Sequence, residues 1–529
     1  MTPFRPYDRL LDRLSRRDLL KIAGTAGLAA IARPVVSAQP VTRPIFRTYP
    51  FTLGVASGDP LPDGVVLWTR LAPEPLDGGG MPMVRIDVDW ELSADNRFTK
   101  ILQRGSEVAR PELGHSVHVE VSGLEASREY WYRFRAGDEV SPTGRTRTAP
   151  APGNRTDPLR FAVCGCSHYE TGYFAAYRRI AEEQFDFVFH SGDYIYESRS
   201  DGGRNPNVVR QHHGDEIFSV VDYRNRYAQY KTDPDLRAAH ASAPFIVAFD
   251  DHEVDNDYAG NNDEQGTPPE VFVLRRAAAY QAYYEAMPLR RAAVPAGSNL
   301  LLYRRLRFGA LIDLSVLDTR QYRSKLACGG GSKTACAEAL AAERTILGAE
   351  QERWLFENLT SVRSTWTVLG QQVPTFARDF RSMDPAARFS MDKWDGYIAS
   401  RNRLYARLKE TRAPNPIILS GDVHQHFASD LKLDFGNPES ETIGAEFTNT
   451  SITSGGDGSD IAPSWERIRA DNPHVKYHSA RRGYIACTVT PAQFRAEFKI
   501  LDKVTTPNLP AKTGGSLIVE AGRPGTETF

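Results

Sequence analysis

Six short apolar runs in the middle of the chain each end in side chains that can bind a metal or move a proton. Residues 185–197 give the clearest case, because Phe-Asp-Phe-Val-Phe-His is followed by Ser-Gly and then by Asp193 and Tyr196. Aromatic and branched residues in such a run predict a buried strand that ends at Gly192. The other runs and the polar residues after them are 161–163 with Cys164 and Cys166, 245–249 with Asp250 to Glu253, 311–317 with Asp318 and Arg320, 366–369 with Gln371 and Gln372, and 417–419 with Asp422, His424 and His426. Open α/β sheets place their chemistry beyond the carboxyl ends of the strands, so we expect a single site.

Helical patterns alternate with these strands. They lie at residues 173–184, 271–286 and 348–360. Such alternation predicts an α/β domain, which we place at residues 157–522. A long polar insertion at residues 198–235 is typical of segments that cover or line a site, and its His212 and His213 are either ligands or part of a solvated loop.

Residues 45–148 show a different pattern, in which apolar and polar residues alternate. The alternation is clearest at residues 84–90, 117–121 and 130–134. It predicts half-buried antiparallel strands. Leu124 and Tyr130 resemble the tyrosine corner of fibronectin type III and immunoglobulin-like sandwiches. We therefore predict a small all-β sandwich domain of immunoglobulin or fibronectin type at residues 45–148, followed by a linker rich in alanine and proline.

Residues 1–38 are predicted to be a targeting segment. Arg16 and Arg17 precede a weakly apolar stretch at residues 22–31, and Val36-Ser37-Ala38 offers small residues for cleavage. This pattern resembles a twin-arginine signal peptide, with an ordinary amphipathic helix as the alternative. The apolar stretch is too short to cross a bilayer. We expect export by the twin-arginine machinery, a periplasmic or secreted protein, and no transmembrane anchor.

Charge and cysteine content narrow the possible partners. The formal net charge is −1 with 25% charged residues, which favours neither a nucleic-acid partner nor an anionic membrane surface. We expect a small substrate and a monomer. Five cysteines leave at least one thiol unpaired. Cys328 and Cys336 flank a glycine-rich loop and either form a disulfide or stay free, and a turn at Gly165 would let only one of Cys164 and Cys166 reach the site.

Three motifs resemble the metallophosphatase blocks GDxxY, GNHE and GHxH. They are Gly192-Asp193-Tyr194-Ile195-Tyr196, Asp250-Asp251-His252-Glu253 and Gly421-Asp422-Val423-His424. With residues 166–174, 317–323, 369–372 and 454–457, the chain resembles the alkaline phosphatase D family, a relative of the purple acid phosphatases. The resemblance covers nearly the whole chain after residue 38. It implies an α/β fold of the metallophosphatase type, an αββα sandwich that follows the small β-sandwich domain.

The resemblance also implies a two-metal site. Fe³⁺ would be held by Cys166, Asp193, Tyr196 and His424. Ca²⁺ would share the bridging Asp193 and bind Asp422 together with an oxygen of either Asp251 or Asn256. Two departures from the wider family agree with calcium, because Asp251 stands where its relatives carry Asn and Asp422 where they carry His. Carboxylates in place of nitrogen and amide ligands favour Ca²⁺ over Zn²⁺.

These roles predict hydrolysis of phosphate esters by a hydroxide formed from water at the iron. Asp193 would hold both ions, and His252 would donate to the leaving group. Arg320 would clamp the phosphoryl oxygens, or else form a structural pair with Asp318. The predicted function is that of a secreted alkaline phosphatase or phosphodiesterase. One alternative is a phosphodiesterase of the phospholipase D type. Another, of a different class, is an exported binding protein stabilised by calcium, although such a site needs neither a thiolate nor a phenolate.

Overall fold

A computed structural model describes residues 39–154, 158–202, 204, 208–386 and 388–529 of the chain. The predicted signal peptide at residues 1–38 lies outside the described residues. The largest element is a ten-stranded sheet in which four central strands are parallel and the outer strands are antiparallel. In spatial order its strands are β24 (Arg523–Thr528), β23 (Ala511–Glu520), β22 (Gln493–Leu501), β21 (Arg482–Val489), β9 (Leu159–Cys164), β10 (Phe187–His190), β11 (Pro244–Val247), β1 (Val55–Leu61), β2 (Gly64–Arg70) and β5 (Ser116–Val121).

A second sheet has seven strands, and four adjacent ones are parallel. Its strands are β12 (Arg304–Phe308), β13 (Ile312–Val316), β15 (Trp366–Gly370), β17 (Pro416–Ser420), β19 (Thr442–Thr448), β18 (His426–Lys432) and β20 (Val475–Ser479). The short strands β14 (Ser332–Lys333) and β16 (Phe389–Ser390) pair separately. The six predicted strands are all present, and they are divided equally between the two large sheets.

The two large sheets pack face to face. Phe187 of the first sheet stacks on Phe308 of the second with ring centroids 4.5 Å apart, and Trp366 contacts Phe494 at 5.7 Å. Val368 lies in this shared core, whereas the next residue, Leu369, lies in a separate core on the opposite face of its strand. The second sheet is therefore buried on both faces, as its nearly continuous apolar strands predict.

Helices cover the sheets on their other sides. The helices are α1 (Ala175–Glu182), α2 (Val220–Lys231), α3 (Pro234–Ser242), α4 (Pro269–Ala286), α5 (Gly348–Leu359), α6 (Ile398–Glu410) and α7 (Pro463–Ile468). Side chains of α1 to α4 join the core of the first sheet. Leu355 of α5 and Leu404 of α6 pack with Leu369 and Ile418 on the outer face of the second sheet. None of the helices among the described residues is long and apolar enough to cross a membrane.

The N-terminal region is built from two sheets that share one core. The third sheet contains β3 (Ile86–Ser93), β4 (Ile101–Ala109), β6 (Glu129–Ala136), β7 (Glu139–Val140) and β8 (Gly144–Arg147). It packs against β1, β2 and β5. These three strands also extend the first large sheet, because β1 pairs in parallel with β11. The N-terminal strands are thus continuous with the α/β part, which the local alternation of residues did not indicate. The domain boundaries at 45–148 and 157–522 stay a prediction.

Cys328 and Cys336 form a disulfide, which decides between the two alternatives left open by the sequence. The other three cysteines are free and buried. The disulfide closes the loop that carries β14, and Met391 beside β16 packs in the same small core as Ala327 and Ala339.

We predict that Cys328→Ser lowers stability by up to about 2–3 kcal/mol, the loss of loop-closure entropy expected for a ring of this size. The measurement is thermal unfolding under non-reducing conditions, with Ser332→Ala in the same exposed loop as the control. Thiol titration of the denatured protein should give three reactive thiols before reduction and five after it. Five thiols before reduction would contradict the disulfide.

Candidate metal and active site

The carboxyl ends of strands from both large sheets meet at one place, around Ser191. A side chain added at Gly165, after β9, or at Gly421, after β17, would collide with the Ser191 hydroxyl. Backbone hydrogen bonds also join the loops, since Cys166 N donates to Gly192 O over 3.0 Å and Ser191 N donates to Cys164 O over 2.9 Å. Glycine is required at these two positions by close approach, and the predicted single site is formed by two sheets rather than one.

The four side chains predicted to hold iron converge. Ligand atoms of Cys166, Asp193 and His424 all lie within 4.8 Å of one another. The Tyr196 hydroxyl donates to Asp193 Oδ2 over 3.0 Å and lies 3.2 Å from His424 Nε2. Donors in adjacent positions on one ion at about 2 Å lie roughly 3 Å apart, so this spacing suits a shared metal. Cys164, in contrast, lies in the hydrophobic core.

Four of the residues predicted to bind the two metals have a left-handed backbone. The φ angles of Cys166, Asp193, Asp422 and His424 are 57°, 53°, 69° and 55°. Residues other than glycine rarely adopt this region, and each instance costs on the order of 1–2 kcal/mol. The loops therefore carry strain at the positions where side chains must turn toward the common centre.

The electrostatics of this group favour a bound cation. Burial raises the pKa of the Cys166 thiol well above its usual value, and the carboxylates of Asp193, Asp422 and Asp250 raise it further. Burial and Asp193 do the same for the Tyr196 phenol. A metal ion would reverse both effects, since it stabilises thiolate and phenolate. Asp193 Oδ1 is buried and has no hydrogen-bond donor among the described residues.

A second group of acidic residues surrounds Arg320. Asp250, Asp251 and Asp422 bring ligand atoms within 4.8 Å of one another, and Asp251, Asp257 and Asp392 form an overlapping group. Arg320 is fully buried and contacts Asp250 through Nε, Asp392 at 2.7 Å, Asp422 at 3.3 Å and Asp251 at 3.5 Å. Lys393 pairs with both Asp392 and Asp422. Buried carboxylates at this density require cations, and hard oxygen donors suit Ca²⁺.

The guanidinium of Arg320 does not pair with Asp318, which was the structural alternative to a phosphate clamp. Asp318 accepts a hydrogen bond from the Arg320 backbone nitrogen at 2.9 Å, while the guanidinium contacts the four other carboxylates. A phosphate clamp at Arg320 would require some of these ion pairs to open. The arrangement favours neutralisation of the acidic group by Arg320.

The two candidates for the third calcium ligand, Asp251 and Asn256, differ in their surroundings. Asp251 lies inside the acidic group, and its Oδ1 has no hydrogen-bond donor among the described residues. The side chain of Asn256 instead donates to Glu264 Oε2 over 2.9 Å, and its backbone nitrogen donates to Glu197. The placement therefore favours Asp251.

His252 lies at the open side of the site. Its ring packs on Tyr196 with centroids 4.1 Å apart, and its Nδ1 lies 2.7 Å from Glu197 Oε2. Burial lowers the pKa of His252, but the carboxylates of Glu197, Asp193 and Asp251 outweigh this effect and raise the pKa well above its usual value. The side chains of His252 and His424 are 19% and 34% exposed, so a substrate would approach from their side.

Glu253 joins two of the ligand-bearing loops. Its carboxylate accepts from the backbone nitrogens of Asp193 at 3.1 Å and Asp250 at 2.8 Å, and from that of Tyr194. Burial raises the pKa of Glu253 to about 8, with Asp193 adding to the effect and the three backbone donors opposing it. A single buried side chain thus ties the loop after β10 to the loop after β11.

Several residues of the site were not singled out from the sequence. Glu253 is the last residue of a recognised motif, and Glu197 directly follows another, so both could have been considered from the sequence. Asp392 and Lys393 belong to no recognised motif. For His212, the predicted alternative of a solvated loop is wrong, because the side chain is buried. Its Nε2 lies 3.0 Å from the Tyr230 hydroxyl and its backbone nitrogen donates to Glu170.

Known proteins resemble this chain over most of its length. Residues 161–498 match the PhoD-like phosphatase family, and residues 37–150 match its N-terminal domain. Alkaline phosphatase D of Bacillus subtilis (strain 168) is 48% identical over 510 residues, covering 96% of this chain and 87% of that protein. A solved structure of PhoD has a TM-score of 0.89 at 48% identity, covering 92% of this chain and 93% of that one.

The chain is therefore a hydrolase that acts on phosphoric ester bonds. Its fold is a mixed α/β fold with several sheets that matches PhoD. The chain belongs to the PhoD-like phosphatase family, and the resemblance of its motifs to this family is confirmed.

We predict that Glu253→Ala destabilises the protein by about 3 kcal/mol or more, because three buried backbone donors lose their acceptor at about 1–3 kcal/mol each. Metal content should fall with it, since both ligand loops are released. Chemical denaturation and elemental analysis measure the two effects. Glu343→Ala, at an exposed glutamate, is the control and should change neither. Normal stability in Glu253→Ala would show that the loops are held by other contacts.

Proposed function

We propose that this chain is an exported, metal-dependent alkaline phosphatase or phosphodiesterase that uses Fe³⁺ and Ca²⁺ to hydrolyse small phosphate esters. The convergence of a thiol, a phenol, a carboxylate and an imidazole at Cys166, Tyr196, Asp193 and His424 carries this proposal. Two anionic donors besides a carboxylate suit a trivalent ion, whereas the oxygen-rich group around Asp422 suits Ca²⁺.

The residues present fit both ions. Asp193 has one oxygen near Tyr196 and another that is buried without a donor among the described residues, so it can bridge two sites. Asp422 and Asp251 would complete the calcium site, with Asn256 as the alternative to Asp251. When bound, the iron would supply the Lewis acidity that activates water, and the calcium would supply positive charge toward the phosphoryl oxygens.

The chain's own side chains support hydrolysis in distinct ways. Glu197 engages Nδ1 of His252, so Nε2 is the nitrogen that can donate to a leaving group. Arg320, predicted as a phosphate clamp, is better placed to balance the charge of the carboxylates beneath the substrate. Asp193 would contribute a carboxylate oxygen to each of the two ions.

Two other functions were considered. Membership of a phosphatase family disfavours a binding protein that is merely stabilised by calcium. A phosphodiesterase of the phospholipase D type uses the same metal chemistry and differs only in the walls of the substrate pocket. We therefore keep it as the second candidate within the same enzyme class.

The cellular setting belongs to the same proposal. A twin-arginine signal at residues 1–38 would deliver a folded monomer to the periplasm or the exterior, and the disulfide suits such an oxidising compartment. For the fold, we propose the metallophosphatase αββα arrangement. It is supported by two facing sheets with helices on both sides. The N-terminal strands would be of immunoglobulin or fibronectin type, with the Tyr130 hydroxyl bonded to the backbone of Glu125 as in a tyrosine corner.

Metal content and substrate range test the proposal together. Purified protein should contain iron and calcium, show a visible phenolate-to-iron absorption band, and lose activity reversibly when a chelator removes calcium. Assays of one preparation on a phosphate monoester, a diester and a phospholipid would separate the two candidate enzymes. Full activity in colourless protein without calcium would refute the assigned metals.

The neighbouring cysteines provide a matched pair of variants for the same test. Cys166→Ser replaces a thiolate by a harder neutral donor, so iron content and the visible band should both fall. Cys164→Ser changes a core residue and should lower only stability, by about 1 kcal/mol. If Cys164→Ser lost iron while Cys166→Ser kept it, the ligand would be the other cysteine.

A separate prediction concerns proton donation to the leaving group. His252→Gln should lower kcat by about 10²–10⁴-fold for alkyl phosphates, whose leaving oxygen needs a proton. The loss should be much smaller for p-nitrophenyl phosphate, because its leaving group is stable as an anion. Comparing kcat for the two substrates measures the effect, with metal content as the control for folding. An equal loss on both substrates would assign His252 to metal binding instead.

A further inference from the structure

Arg378 is a cation that lies close to the site but has no anionic partner among the described residues. It belongs to the irregular segment between β15 and β16. Its side chain is partly buried, and its Nε is buried without a hydrogen-bond acceptor among the described residues. No ion pair or side-chain hydrogen bond engages its guanidinium within that part of the chain. A partly desolvated charge without a counter-ion is unfavourable, so its retention calls for an explanation.

The surroundings of Arg378 hold the guanidinium in one place. It lies over the rings of Phe380 and Phe427, 5.2 and 5.0 Å from their centroids. The Arg378 backbone nitrogen donates to Asp395 Oδ2 over 3.0 Å. Asp395 is not available to the guanidinium as a strong partner, because its other oxygen pairs with Arg401 at 2.6 Å. The charge is therefore positioned by aromatic rings and left unpaired.

This location adjoins two of the candidate metal ligands, Asp422 and His424. Phe427 belongs to β18, which begins two residues after His424, and Val423 packs in the same hydrophobic cluster as Phe427 and Phe380. Burial lowers the pKa of Arg378 to about 10, and the carboxylates of Asp422 and Asp395 offset part of that effect. The side chain thus remains charged at neutral pH and lies within electrostatic range of Asp422.

Three other cations nearby already have carboxylate partners. Arg320 contacts four carboxylates, Arg323 pairs with Asp392 at 2.6 Å, and Lys393 pairs with Asp392 and Asp422. Each would have to break an existing ion pair to contact a substrate. Arg378 would break none, and its planar guanidinium matches two phosphate oxygens.

We propose that Arg378 is a substrate-binding residue that contacts the non-bridging oxygens of the phosphoryl group. The inference rests on the proposed phosphoesterase function and names a residue of that same site. A phosphate oxygen would give the guanidinium the acceptor that it lacks among the described residues, while the rings of Phe380 and Phe427 keep it oriented for this contact.

The test uses Arg378→Gln in the full-length, metal-loaded protein, with inorganic phosphate as the probe. The dissociation constant for phosphate, measured by calorimetry, should rise by about 10- to 100-fold, and KM for a monoester should rise in parallel. Metal content and thermal stability should be unchanged or slightly improved, because an unpaired buried charge has been removed. Arg378→Lys should be intermediate, since it keeps the charge but loses the two-pronged contact.

Arg381→Gln is the matched control, because it removes one positive charge from the same segment at a side chain that is 54% exposed and paired with Asp379. It should leave phosphate affinity unchanged. An equal loss of affinity in Arg381→Gln, or unchanged affinity in Arg378→Gln, would overturn the proposal. A large loss of stability or metal in Arg378→Gln, with normal phosphate affinity in Arg378→Lys, would assign Arg378 a structural role and overturn it too. If the wild type hydrolysed no phosphate ester, the proposed function would fall, whereas phosphate binding would still decide the role of Arg378.

Discussion

The close approach of buried carboxylates is the constraint on which the rest of this structure depends. Asp193, Asp250, Asp251, Asp392 and Asp422 share one region from which water is largely excluded, so their repulsion is weakly screened. Arg320 and Lys393 are placed among them, and removing one partner of such a buried pair costs about 3–5 kcal/mol. The extensive core between the two sheets supplies the stability that keeps these loops together.

The same constraint explains the unusual backbone of the site. A side chain that must turn inward from the end of a strand needs a sharp reversal, and four candidate ligands adopt a left-handed conformation to make it. Such strain persists only where surrounding contacts determine the conformation. Here the backbone bonds to Glu253 and the close packing of Gly165 and Gly421 on Ser191 provide those contacts. These contacts hold the loops that carry the candidate ligands.

The sequence predicted the parts of the fold that local patterns determine. Apolar runs followed by polar residues located six strands and the residues at their ends, and alternation located β3, β5 and β6. The sheet that a strand joins depends on pairing with residues far away in the sequence. Local patterns therefore indicated neither the division of the six strands between two sheets nor the pairing of β1 with β11. Asp392 and Arg378 lie in irregular segments without periodicity or a recognised motif. The polar composition around His212 concealed its burial against Tyr230.

The arginines show why position in the sequence is a weaker guide to role than environment. Arg320 follows a strand and so was the natural candidate to bind phosphate, yet it lies beneath the site with four carboxylates around it. Any new contact that Arg320 makes must replace an existing ion pair, so the net gain in binding free energy is small. Arg378 has no motif to mark it, but its interaction with an anion would be almost wholly additional. A partly buried cation that lacks an anionic partner among the described residues therefore points more directly to a ligand than a buried cation that is fully paired.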